Sequence, residues 1–282
     1  MPGLTRMLSL PALPVYRQHL RYDARFLFKH LTHEFLCRRM SVAERSLCVF
    51  HHYVRMQKML PEVLLRQVLR DQGTALQIRH ERGSYTVQLS LSRPDDKEGE
   101  FSLSLLEGEE LLYVLSFTVV PGRVVGRAEQ DVLLVSRLQG VRARLQQIRA
   151  ATRALHDVAP AALLMAALDG MAQSLKIRAI VGVQGQDQTA YNPLYASSFQ
   201  SCYDDFFQAL GMELNARSYY YAQLPLPEKP MQQIKPRHRL RTREKREFKR
   251  RVAEAVANYF GRAQCGRAVD FSVDAASVLE EP

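Results

Sequence analysis

His156, Tyr203 and Asp204 are the side chains of this sequence best suited to moving a proton. An imidazole titrates near neutral pH and can act as a general base; a phenol or carboxylate beside it can orient the ring or complete the transfer. A plainer reading stands beside each. His156 closes a helix, where a partly buried imidazole also suits the helix dipole. Tyr203 shares an apolar stripe with Phe199, Phe206 and Leu210, which marks it as core with its hydroxyl at an edge. Asp204 and Asp205 fall off that stripe, where solvated carboxylates are the ordinary outcome. A second set, Arg137, Gln139, Gly140 and Arg142, lies where a strand gives way to a helix. Unpaired N–H groups and partial positive charge at such a turn attract anions, and two arginines would add to that pull.

Both sets depend on the stretch from Asp131 to Gln184. An apolar run over Asp131–Leu138 suits a buried strand, and Gln139-Gly140 turns the chain. Leu145, Ile148, Thr152 and Leu155 repeat at helical spacing, with Arg142, Arg144, Arg149 and Arg153 on the other face. Pro160 ends that helix and opens the next, apolar almost all round to Leu175, before a strand over Ile177–Val183.

The flanking segments predict an α+β protein: an antiparallel or mixed sheet with flanking helices. Residues 1–73 read as a helical N-terminal lobe, with helices over Tyr16–Met40, from the capping box Ser41-Val-Ala-Glu44 to Met59, and from Pro61 to Gly73. Residues 74–234 read as the sheet core. Alternation at Leu76, Ile78 and His80, and again at Tyr85, Val87 and Leu89, predicts a hairpin; Phe101–Leu105 and Leu111–Val120 predict a second. A helix over Phe199–Leu210 ends at Gly211, and Ser218–Gln223 is an aromatic strand. Residues 235–282 read as a basic helix, forming from about Arg241, and a tail.

Formal charge is +10, and its location matters more than its size. Lys235, Arg237, Arg239, Arg241, Arg243, Lys245, Arg246, Lys249, Arg250 and Arg251, against Glu244 and Glu247, put +8 into one arm and leave +2 for the rest of the chain. That pattern suits an anionic membrane surface or envelope precursor, the protein's own acidic body, or nucleic acid, in that order, since no nucleic-acid motif accompanies it. The four cysteines are widely spaced and read as buried free thiols of a reducing compartment. Neither a signal peptide nor an apolar run of bilayer length is visible, so a cytoplasmic protein, peripheral to the inner membrane at most, is expected. His30-x-x-His33 and His51-His52 lack a third ligand at motif spacing, so no metal site is predicted. Nucleotide-binding and serine-hydrolase motifs are absent.

Leu138-Gln139-Gly140, Ile148-Arg-Ala-Ala-Thr152, Leu155-His156, Pro160, Leu163-Leu164, Ala167-Leu168 and Ile180-Val-Gly-Val183 resemble the VirK/YbjX family of Gram-negative bacteria, in order and spacing. So do Glu98-Gly-Glu100-Phe-Ser-Leu103, Leu115-Ser-Phe-Thr118 and Tyr203-Asp204-Asp-Phe206, so that the resemblance runs from about Leu47 to Val256. It implies a cytoplasmic or membrane-peripheral role in envelope upkeep, virulence and tolerance of cationic antimicrobial peptides, and no established activity. The element order is also that of a GNAT acyltransferase core, where the strand-to-helix turn holds the pyrophosphate of an acyl donor. By that analogy Arg137, Gln139, Gly140 and Arg142 would hold acyl-CoA or an acyl-carrier donor, although the turn has one glycine where that pattern asks for two. The expected function is acyl transfer to an envelope component or precursor; the alternative is a non-catalytic adaptor or chaperone recruited to the membrane by its arm.

Overall fold

The computed structural model describes residues 29–31, 34–70, 73–81, 83–93, 96–264 and 272–274. Ser41 caps α1 (Val42–Met59) as its sequence predicts. The Glu44 N–H donates to the Ser41 hydroxyl, and the Glu44 carboxylate accepts the Ser41 N–H at 2.9 Å. α2 (Glu62–Arg70) follows. The helix expected over Tyr16–Met40 is not formed in its described part; residues 16–28 lie outside it. Lys29–Leu31 makes one 3-10 turn, and 34–40 runs irregularly through a left-handed Leu36 (φ 61°). External partners take the donors a helix would need. Leu36 N–H donates to the Lys97 carbonyl at 2.7 Å and Arg38 N–H to the Asp187 carbonyl at 3.0 Å.

Five strands then run as an antiparallel meander: β1 (Gly73–His80), β2 (Gly83–Leu91), β3 (Phe101–Glu107), β4 (Glu110–Pro121) and β5 (Asp131–Gly140). α3 (Leu145–Ala154) and α4 (Pro160–Ser174) cross to β6 (Ala179–Val183), which lies parallel to β5. A short helix α5 (Ala196–Phe199), a π turn (Gln200–Asp204) and α6 (Asp205–Ala209) lead to β7 (Glu213–Leu214) and β8 (Tyr219–Gln223). α7 (Pro236–Gln264) and β9 (Ser272–Asp274) end the described chain. The nine strands form one mixed sheet in the order β7-β8-β6-β5-β4-β3-β2-β1-β9.

The middle of β4 and β5 is buried residue after residue, because both faces of the sheet are covered. α1 packs on β4, while α4 pairs with α7 and reaches β3, β4 and β5. Gly170 lets α4 and α7 touch, since a Cβ there would lie 2.1 Å from the Ala253 carbonyl oxygen. The predicted stripe on α7 holds: Phe248, Val252 and Val256 are fully buried. That helix starts at Pro236, five residues before the stripe alone suggests.

Asp131 fastens α1 to the start of β5. It accepts from His51 at 2.8 Å and from Arg55, and these bonds hold its carboxyl below the usual range although burial alone would raise it. Asp131→Ala should therefore cost about 1.5–3 kcal/mol in urea unfolding, the range for hydrogen bonds to charged groups. A depressed carboxylate stabilises the fold above its unfolded pKa, near ~3.9, and loses that contribution as pH falls through its folded value. The difference between wild type and variant should accordingly shrink on acidification below about pH 4.

Candidate functional site

β5 outruns its parallel partner. Its ladder with β6 joins Leu133 to Ile180, Leu134 to Val181 and Val135 to Gly182, then stops, while β5 continues to Gly140 on β4 alone. At the same level Ser116 pairs with Arg137 and Phe117 with Val135, so Ser136 is the extra residue of a bulge. Bulges bend a strand and re-aim its side chains. The wedge between the strands is the helical segment of residues 196–209. Gly182 admits it, because a Cβ there would lie 2.4 Å from the Phe207 ring.

Tyr203, on the π turn, fills the space that β6 leaves. Its ring stacks on Phe199, and its hydroxyl accepts the Leu138 N–H at 3.5 Å, a long and therefore weak bond. Burial pushes its phenol well above the usual range, and the nearby Glu98 charge adds to that. Asp204 is buried, contrary to the solvated carboxylate expected, and accepts the Gly185 N–H at 3.1 Å. Burial raises its carboxyl, so it braces the loop after β6. Asp205 is exposed.

His156 is placed elsewhere, at the corner between α3 and α4, with its ring 4.8 Å from that of Phe248 on α7. It and Asp157 adopt left-handed backbone (φ 52° and 57°) where the chain reverses. The arginine set is divided as well. Arg137 binds Asp96 at 2.8 Å and Glu98 at 3.3 Å, which commits its charge inside the protein. Gly140 serves packing, since a Cβ there would lie 2.9 Å from Ile148 and 3.1 Å from Tyr113. Gln139 is exposed and accepts from Arg137. Arg142 alone of the set faces solvent without a carboxylate partner among the described residues; its guanidinium lies 5.8 Å from the Tyr195 ring centroid.

Glu98 is the site residue that chain order hid. It lies in the loop between β2 and β3, 38 residues before Ser136, whose hydroxyl donates to its carbonyl. Its buried side chain meets Arg137 and Thr189, and burial raises its carboxyl above the usual range despite Arg137. Gly99 makes this placement possible: a Cβ there would lie 3.0 Å from the Phe117 nitrogen and from the Ser116 Cβ. Glu100, on the far side of Gly99, is clamped by Lys29 at 3.1 Å and by the Tyr53 hydroxyl. Gln188, fully buried in the loop after β6, donates to the Val183 carbonyl and leaves its Oε1 without a partner among the described residues. The only signal in the sequence was two acids flanking a glycine ahead of a strand.

His51 binds Asp131. His52 is fully buried, accepts the Val119 N–H at 3.0 Å and is held neutral by burial. No group of three potential metal ligands occurs among the described residues. Cys37 and Cys48 are buried thiols as expected, but Cys202 is exposed; Cys265 lies outside the described residues. No described helix is long and apolar enough to cross a membrane.

The basic arm is half spent on the protein itself. Arg241 pairs with Asp157 at 2.8 Å, Arg246 and Lys249 with Glu228, and Arg250 with Glu247 and Glu254. Arg237, Arg239 and Arg243 are exposed without a carboxylate partner among the described residues. Lys235 is exposed, Lys245 is half-buried, and Arg251 lies half-buried beside the Phe248 and Val252 stripe.

Compared with known proteins, the chain matches over residues 6–258 the family described as a protein of unknown function, DUF535. No curated protein and no solved structure matches it.

Gly99→Ala tests how tightly the loop is seated. The added methyl must lift the loop or shift β4, at about 1–3 kcal/mol in denaturant unfolding, as overpacking costs elsewhere.

Proposed function

The chain belongs to the DUF535 family, and from that premise we propose that it is an acyltransferase working at the β5–β6 corner. The observation that carries the reading is that Glu98, bound to Arg137, and Tyr203, bound to the Leu138 N–H, both reach the place where β5 leaves its partner, near enough for the Glu98 charge to act on the phenol. A carboxyl raised by burial is a fit proton acceptor, and a phenol that burial holds protonated can donate a hydrogen bond without giving up its proton. Arg142 at the mouth would take the anionic part of an acyl thioester, carried by coenzyme A or by a carrier protein. The thioester carbonyl would accept the Leu138 N–H, displacing the weak bond to Tyr203. An acceptor amine passes its proton to Glu98 as its nitrogen bonds to the carbonyl carbon. The tetrahedral oxyanion then collapses, the C–S bond breaks, and the departing thiolate takes the proton that Glu98 received, while the Tyr203 hydroxyl donates a hydrogen bond to the sulfur. The resemblance to VirK/YbjX proteins makes an amine-bearing envelope component or precursor the favoured acceptor. His156 stands outside this scheme, and Asp204 acts only by bracing the loop after β6.

A panel of acyl-CoA and acyl-carrier donors should raise the melting temperature, since a ligand at a hundredfold excess over its Kd adds about 2.7 kcal/mol. Arg142→Ala should weaken donor binding by about 10- to 100-fold, equivalent to one charge-assisted hydrogen bond. An unchanged melting curve across the panel would remove the proposal.

Glu98→Gln should lower kcat for thiol release by about 10²–10⁴ and Tyr203→Phe by about 10- to 100-fold, the loss of one hydrogen bond, with donor-induced stabilisation retained. Because burial raises the Glu98 carboxyl, it must be ionised by a pH above the ordinary carboxylate range, near ~4.3. The acid limb of kcat/KM should therefore sit above that value in wild type and vanish in Glu98→Gln.

A further inference from the structure

A strip of surface runs from the corner's mouth to the head of α7, built of large apolar side chains among arginines most of which have no carboxylate partner among the described residues. Leu194 is 85% exposed and Tyr195 51%; the Tyr195 ring lies beside Arg142. From Arg142 the strip follows α3 through Leu145, 60% exposed, then Arg149 and Arg153, at spacings that keep all four on one side of the helix. At the end of α3, Asp157 binds Arg241 and so ties this face to α7. The first turns of α7 project from the body: residues 236–241 are exposed all round, with Leu240 at 69% and Arg237, Arg239 and Arg243 about it.

Two facts choose the partner. Arg142, Arg149, Arg153, Arg237, Arg239 and Arg243 have no carboxylate partner among the described residues, so the strip carries net positive charge and matches an anionic one. Four of the eight exposed large apolar side chains among the described residues sit between these arginines. A phosphate backbone would use the charge but leave three leucines and a tyrosine in water. A bilayer interface takes both, since basic groups meet anionic head groups while leucine enters the acyl boundary and tyrosine sits at head-group depth.

We propose that this strip is an interfacial membrane-binding face, specific for anionic phospholipid, which lays the mouth of the corner against the bilayer. It differs from a basic arm acting alone, because α3 and the turn before it contribute three of these six arginines and the arm's Arg246, Lys249 and Arg250 are already paired. It holds whether or not the corner transfers acyl groups.

The test is flotation of the full chain with vesicles of phosphatidylcholine alone or mixed with phosphatidylglycerol, with a short DNA duplex as competitor. Anionic vesicles should bind the chain at least about tenfold more strongly than neutral ones, and added salt should weaken the binding. Arg149→Glu/Arg153→Glu/Arg243→Glu should reduce binding by more than about 100-fold, at roughly fivefold for each charge removed. Leu194→Asn/Leu240→Asn should reduce it several-fold at unchanged charge. Circular dichroism melts establish that both variants fold. Equal binding to neutral vesicles, or indifference to the arginine changes, would overturn the proposal. So would indifference to the leucine changes together with displacement by the duplex, which would mark the strip as a polyanion surface. None of the substituted residues touches Glu98 or Tyr203, so thiol release from acyl donors in vesicle-free solution reports on the acyl-transfer reading separately.

Discussion

The seat of Gly99 on the bulged middle of the sheet is the contact on which the candidate site depends. With no side chain at that residue, the loop ahead of β3 lies against Ser116 and Phe117, directly across from the extra residue Ser136. Its two neighbours are thereby sent in different directions. Glu98 reaches the corner, Arg137 and Thr189, while Glu100 reaches Lys29 and Tyr53. Each carboxylate loses water in the process, and each regains a cation and a hydroxyl. Burying a charge is costly unless such partners are supplied, so the loop, the segment of residues 29–40 and α1 must assemble together.

The same logic divides the basic residues. Arginines near acidic side chains of the body are consumed in packing α7 against α4 and the segment leading into it. Arg149 and Arg153 on α3, and Arg237, Arg239 and Arg243 at the head of α7, have no acidic partner among the described residues. A total charge therefore says little about partners until the internal pairs are subtracted. The arm reads in sequence as one continuous basic surface; folded, its arginines are divided between internal pairs and exposed positions.

Much of the architecture was legible in the chain. The meander, the return to the sheet at β6, the capped α1, Pro160 at the start of α4 and the stripe of α7 all follow from periodicity and stop signals that act within a few residues. Residues 34–40 misled because helical spacing was present but external carbonyls claimed the N–H groups. The 199–210 helix was broken by a π turn, which swung Asp204 inward to Gly185. Arg137 and Gly140 had the types for holding an anion, yet folding gave the first to two carboxylates and used the second for close packing. His156 and Tyr203 seemed able to share one site, but a chain reversal directs the former to α7.

The sequence by itself determined the meander, α1, α2, α3, α4 and the apolar stripe of α7, with the local signals that start and stop them, because those depend on neighbours along the chain. Only the tertiary structure decided which charges are buried, paired or free, and that Glu98, about a hundred residues away in the chain, comes near enough for its charge to act on the Tyr203 phenol. Those outcomes depend on desolvation and on distances between segments, which no spacing in a linear chain encodes.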